Sequence, residues 1–176
     1  MTAHIKHISI RIAGYPVTPG ISAAFYQAEE EALMVPIIYE NPRAQFYSSV
    51  ESKGISLQCD KDGRLIFINI RKPRRLWIGE RGISATPSPP ADIRILDFRC
   101  SINEPEFLCD RKKTRALIKF AEVHSCDSFQ LADNVFLLVH QRKTLNGIYI
   151  DTIHPDRAGQ QMKNWKDRVS EVWSAR

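Results

Sequence analysis

Five cations and an indole stand close together in the chain: Arg71, Lys72, Arg74, Arg75 and Arg81, with Trp77 among them. Guanidinium and ammonium groups track phosphates, and an aromatic ring inside such a run stacks a base, so these residue types suit a nucleic-acid or other anionic ligand. Pro73 denies the stretch a place in the middle of a sheet, and several neighbouring guanidinium groups are too costly to bury without matching acids. The segment is therefore expected on an exposed edge or loop, with Trp77 exposed too. The alternative reading is a solvated loop whose charge keeps a strand edge from pairing. A second run, Asp110-Arg111-Lys112-Lys113-Thr114-Arg115, carries an acid within it. The formal charge of +5 leaves room for an anionic partner.

Proton-transfer chemistry has fewer candidates. His124 or His140 could act as a general base with Cys126, Asp127 or Asp133 nearby in sequence, which would make a small enzyme with a His-based site. No G-x-S-x-G, phosphate-cradling glycine loop or H-E-x-x-H occurs, and the chain has only 8 glycines. Cys59, Cys100, Cys109 and Cys126 form no C-x-x-C pair, so four reduced thiols in a cytoplasmic protein are expected. A zinc site from Cys109, His124, Cys126 and His140 lacks the close ligand pairs of structural zinc, and no metal or cofactor is expected. His4 and His7 are three apart and would point to opposite sides of a strand. Asp60-Lys61-Asp62-Gly63 imitates the start of a calcium loop, but Arg64-Leu65-Ile66-Phe67-Ile68 follows with strand residues where oxygen ligands are needed.

The elements that must carry these residues read mainly as strands. His4 to Ile12 alternates polar and apolar residues. Ser22 to Leu33, with Phe25, Ala28 and Ala32 at helical spacing and good helix formers between them, reads as a short helix that leaves Glu29, Glu30 and Glu31 solvated. Strands follow at 37–39, 44–50, 54–59 and 64–70, with Asp60 to Gly63 as a hairpin turn. Pro87, Pro89 and Pro90 mark a linker between Arg81 and Ala91. Further strands are expected at 93–99, 114–121, 128–131, 135–140 and 145–150. A final helix from Pro155 presents Met162, Trp165, Val169 and Val172 as one apolar stripe.

The fold class expected is α+β, mainly antiparallel, in a single compact unit over 1–176. The length suffices to bury roughly 70% of the surface of the unfolded chain. Half-repeats are expected over 37–81 and 92–154, joined by the Pro-rich linker. Ile55-Ser56-Leu57 and Leu65 to Ile70 have counterparts in Val135-Phe136-Leu137 and Leu145 to Ile150 at one constant offset. An Arg-Ala step at Arg43-Ala44 matches Arg115-Ala116 only with an insertion near His124 to Asp133.

Tyr39-Glu40, then Arg43-Ala44-Gln45-Phe46-Tyr47, then Asp60-Lys61-Asp62-Gly63-Arg64-Leu65-Ile66-Phe67-Ile68-Asn69-Ile70, resembles a family of small bacterial proteins of unknown function. The pattern of that family is Tyr-Asp, an Ala-centred strand and Asp-x-Asp-Gly-x-Leu-x-Gly-Ile-Glu-Ile. Glu40, Phe67 and Asn69 depart from its Asp, Gly and Glu. The resemblance covers residues 37–70 and implies a small strand-rich module without an activity to carry over.

The function expected is a non-catalytic binding or assembly module, with a homodimer as one form of assembly, since a strand-rich chain must pair or cover its edges. The alternative is a nucleic-acid-binding protein using segment 71–81. No run of apolar residues is long enough to span a membrane as a helix.

Overall fold

A computed structural model describes residues 2–15, 17–39, 45–83, 86 and 88–174, the side chains of 172–174 excepted. Glu40, Arg43 and Ala44, which anchor part of the resemblance and of the repeat, lie outside the described residues, as do Pro87 and the side chain of Val172. The chain is mostly β, in two sheets. Its strands are β1 (Ala3–His4), β2 (Ile8–Gly14), β3 (Ile21–Ser22), β4 (Ala24–Gln27), β5 (Ala32–Ile38), β6 (Ser48–Ser52), β7 (Ile55–Cys59), β8 (Leu65–Arg71) and β9 (Ile78–Gly79). They continue with β10 (Asp92–Ile95), β11 (Cys100–Ser101), β12 (Glu106–Cys109), β13 (Ala116–Lys119), β14 (Asp127–Ala132), β15 (Val135–His140), β16 (Thr144–Ile150) and β17 (Ile153–Pro155), before helix α1 (Gln160–Ser174).

The first sheet runs β1-β11-β6-β7-β8-β5-β4-β17, with β3 also on β5. The second runs β10-β2-β16-β13-β12-β9, and β16 carries β15 and then β14 on its other edge. Long pairs are antiparallel, whereas parallel pairing is made by the short strands β1, β9, β11 and β17 and by two isolated bridges, Gly20 with Ala132 and Pro90 with Gln130. One apolar cluster takes residues from both sheets, among them Leu33, Leu57 and Ile68 of the first and Ile93, Ile118 and Ile148 of the second. Alternation puts them there: β7 and β15 bury every second residue, as period-two strands with one face on a core must.

Two four-strand groups have the same order. In the first, β5-β8-β7-β6 are neighbours; in the second, β13-β16-β15-β14. Ile55 pairs with Ile70, Leu57 with Ile68 and Cys59 with Leu65, the register slipping between Gln58 and Cys59. Val135 pairs with Ile150, Leu137 with Ile148 and Val139 with Leu145, slipping between Leu138 and Val139.

The expected helix over Ser22 to Leu33 is not formed. That stretch is β3, β4, a turn and the start of β5, with Glu31 at a positive φ of 50°. All four residues of β4 are buried because both of its faces are covered, Phe25 meeting Trp165 of α1 and Tyr26 meeting Trp77, so it lacks the alternation that would have announced it. Tertiary pairing has overridden the helical preference of Ala and Glu. The C-terminal helix is present but begins at Gln160, since Pro155 ends β17. Buried Asp156 caps it, accepting from the Gln161 amide at 2.7 Å and the Met162 amide at 3.2 Å. Val169 is buried, and Trp165 meets Phe25 of β4 edge-on at 6.2 Å.

The end of the proline-rich segment, at Pro89 and Pro90, is tied to β14. Pro90 bridges to Gln130 of β14, whose amide donates to the Pro89 carbonyl at 2.9 Å, while the Ala91 amide donates to the Gln130 carbonyl at 3.1 Å. At its exit, Asp92 accepts from Arg94 Nε and Nη2, both at 2.7 Å. The Arg94 side chain holds the Asp92 carboxyl below its ordinary range, although burial opposes ionisation and Arg64 and Arg11 add a weaker pull. A depressed folded-state pKa gives stability that is present above the unfolded pKa, near 3.9, and is lost as pH falls through the folded value. Acid titration followed by circular dichroism should therefore show Asp92→Asn removing part of the pH dependence below about pH 4. An unchanged acid limb would mean that the pair is energetically silent.

Candidate anion-binding face

Segment 71–81 leaves the end of β8, turns at Pro73 and forms one 3-10 turn over Arg74–Leu76. That turn aims Trp77 inward. Its indole is 4% exposed, meets Tyr26 at 5.3 Å and Phe107 at 5.0 Å, and donates from Nε1 to the Lys72 carbonyl at 3.0 Å. The expectation of an exposed, base-stacking Trp77 is thus corrected. Large apolar area outweighed the polarity of its neighbours.

Arg71 and Arg75 are exposed, Lys72 and Arg74 half-buried. Arg75 makes a solvent-exposed pair with Glu31 at 2.9 Å. Arg74 serves structure: its amide donates to Tyr26 Oη at 2.8 Å, and its guanidinium lies 5.9 Å from the Tyr26 ring centre and 6.0 Å from that of Trp77. Nη2 of Arg74 donates to the Lys112 and Lys113 carbonyls, each at 3.3 Å, and Lys113 Nζ returns a bond to the Arg74 carbonyl at 2.8 Å.

Those bonds bring the two basic runs together. β9 then lies parallel to β12, with Ile78 opposite Leu108, and the Glu80 amide donates to the Cys109 carbonyl at 2.8 Å. A groove of about 750 Å³ opens between 79–83 and 110–115, with Arg81, Arg111, Lys112 and Arg115 along it and Glu80 and Asp110 as its acids. Asp110 is spent on its own turn: Oδ1 accepts from the amides of Thr114 at 2.8 Å and Arg115 at 2.9 Å, and Oδ2 from Thr114 Oγ1 at 3.1 Å. Burial raises its pKa, but these donors together carry it below the ordinary value, so the acid stays ionised and its charge offsets one of the cations along the groove. Arg115 pairs with Asp151 at 3.1 Å, and Arg81, Arg111 and Lys112 are exposed.

Among the described residues neither His124 nor His140 hydrogen-bonds through its ring to Cys126, Asp127 or Asp133. His124 is exposed and pairs through Nε2 with Glu122 at 3.1 Å, while Cys126 Sγ is directed to the Glu122 carbonyl. Cys59, Cys100 and Cys109 are buried, and burial, with Asp60 adding to it, pushes the Cys59 thiol up to about 12. Burial raises the Cys126 thiol as well, away from the reactive thiolate. Among the described residues no three His, Cys, Asp or Glu side chains gather as a metal site, and no helix is long and apolar enough to cross a membrane.

Sequence reasoning found the two basic runs but not their union, which depends on the parallel β9–β12 pair. No protein-family profile matches the chain, and a search of curated proteins finds no relative.

Proposed function

We propose that the protein is a non-catalytic binding module that holds nucleic-acid phosphates along the joined basic face. The observation that carries this reading is the reciprocal bonding of Arg74 with Lys112 and Lys113, which joins two basic runs distant in the sequence. With Trp77 buried, the contact is to the backbone of the polymer, without base stacking, and so without marked sequence preference. Arg81, Arg111 and Lys112 are the phosphate ligands, Arg74, Arg75 and Trp77 shape the face, and Arg71 and Lys72 line a separate hollow with Lys53 and Glu104 and add only longer-range attraction.

Self-association is the second reading, because Leu76 and Ile78 are exposed beside the open edge of β9, at 54% and 58%. A two-fold dimer through that edge would set the same cations against themselves, which favours the polyanion. Arg81→Ala combined with Arg111→Ala is expected to weaken binding to a fluorescent single-stranded oligonucleotide and to lower the slope of log K against log salt by about 0.7 for each phosphate no longer neutralised. An unaltered slope in fluorescence anisotropy would reject the face as the contact surface.

The shared order and register of the two four-strand groups supports descent by duplication, and the resemblance of 37–70 to a small bacterial module fits one such unit. On this reading the basic face is a feature added at the margin of a repeated β scaffold.

A further inference from the structure

Away from the basic face, a cavity of about 450 Å³ opens between the two sheets, walled by segment 17–21, Ile38, Tyr39, Arg64, Asp92, Leu131 and Asp133. From its geometry we infer that it is a binding site for a small organic acid, a single carboxylate on an apolar body, with Arg64 as the anchor.

The wall is preformed. Gly20 bridges Ala132 in parallel, its amide donating to the Leu131 carbonyl at 3.0 Å and its carbonyl accepting from the Asp133 amide at 3.0 Å. The Val17 amide donates to the Pro90 carbonyl at 3.3 Å, and the Ser22 amide to Asp133 Oδ2 at 3.3 Å. Segment 17–22 is thereby held by four bonds without a ligand, so binding need not order it. A Cβ at Gly20 would come 3.0 Å from the Tyr39 ring, which shows how closely this wall is drawn against the aromatic platform.

Arg64 supplies the charge. The hairpin turn places it: Asp60 Oδ1 accepts the Arg64 amide at 2.9 Å, and the guanidinium lies 5.4 Å from the centre of the Tyr39 ring. Tyr39 is itself held by its hydroxyl, which donates to the Leu65 carbonyl at 2.8 Å. Nε of Arg64 is buried and bonded to nothing among the described residues. A buried N–H left without an acceptor is costly, and once a small turn of the side chain opens Nε to the cavity a planar carboxylate meets the guanidinium fork with two parallel bonds. Asp92, an acid on the same wall that feels the Arg64 charge, has both oxygens engaged by Arg94.

The remaining lining chooses among anions. Val17, Ile21, Ile38 and Leu131 offer an apolar surface to the body of the ligand, and the volume falls within the range of small-molecule sites. Asp133 is exposed at the wall and repels a second negative charge. A monocarboxylate is therefore preferred to phosphate, which sets this cavity apart from the basic groove.

Calorimetry with benzoate, isovalerate and inorganic phosphate tests the assignment, with amide chemical shifts locating the site. Benzoate or isovalerate is expected to bind in preference to phosphate and to shift residues 17–22, 38–39 and 131–133. Arg64→Gln should weaken that binding at least ten-fold, whereas Arg81→Ala with Arg111→Ala leaves it unchanged. Asp133→Asn should narrow the preference over phosphate. Should Arg64→Gln fail to fold, Val17→Trp fills the cavity from the opposite wall and must abolish binding. Equal binding by Arg64→Gln, stronger binding of phosphate by the parent, shifts confined to other residues, or no binding of either acid at 10 mM would each overturn the proposal.

Discussion

Replacing Trp77 by Ala should lower the stability of the protein by about 3–5 kcal/mol, the usual cost of removing a buried aromatic side chain. The indole is the point at which Tyr26 of the first sheet meets Phe107 of the second, so its loss opens a void where the sheets join. The Lys72 carbonyl loses its donor at the same time. Urea denaturation followed by circular dichroism reads the change, and a midpoint equal to that of the parent would refute the packing role. Trp77→Phe separates the two contributions: it keeps most of the ring and loses the N–H, which should leave a cost of about 1–3 kcal/mol for the unsatisfied carbonyl and the smaller ring. Because the Arg74 guanidinium rests on the same rings, Trp77→Ala should also weaken oligonucleotide binding without removing any charge.

Gly63→Ala is expected to be nearly as damaging. Gly63 closes the Asp60 turn at φ of +81°, where an L side chain costs about 1–2 kcal/mol from backbone sterics alone. A Cβ there would also run into the Ile95 carbonyl oxygen, at the place where the Ile95 amide donates to the Gly63 carbonyl at 2.8 Å. The hairpin would have to withdraw from β10, breaking a link between the sheets. At Gly82, φ is +80° and a Cβ would meet nothing within 4 Å, so Gly82→Ala carries the conformational cost without the collision. The difference between the two substitutions in thermal or urea unfolding isolates the collision; equal costs would show that β10 yields freely.

The hairpin at Asp60 to Gly63 was legible because its chemistry is local. Asp60 Oδ1 accepts from the Asp62 and Arg64 amides, and glycine supplies the positive φ. The alternating strands β7, β8 and β15 were legible for the same reason. β4 was not, since a strand covered on both faces shows no alternation and its neighbouring alanines and glutamates favour helix in isolation. The candidate site divides in the same way. The charge of Arg71, Lys72 and Arg81 follows from the sequence, as does the end of the regular strand before Pro73. The inward turn of Trp77 and the meeting with Lys112 and Lys113 depend on bonds reaching across as many as 39 residues, which no local pattern encodes. The cavity at Arg64 is still less visible, because its walls come from five separated stretches of chain.

The outer strand of the first sheet has a bearing on synthesis. β4, β5 and β8 are all complete by Arg71, yet the far edge of β4 is covered only by β17, at Ile153–Pro155. On a ribosome adding about 5–20 residues each second, that edge waits unpaired for several seconds after its own strands have emerged. Its bare N–H and C=O groups are open to strands of other nascent chains during that interval, and the short length of β4, only 4 residues, limits what can add to it before the chain is finished. Lengthening β4 would be expected to raise the yield of aggregated nascent chains while leaving the finished protein as stable as before.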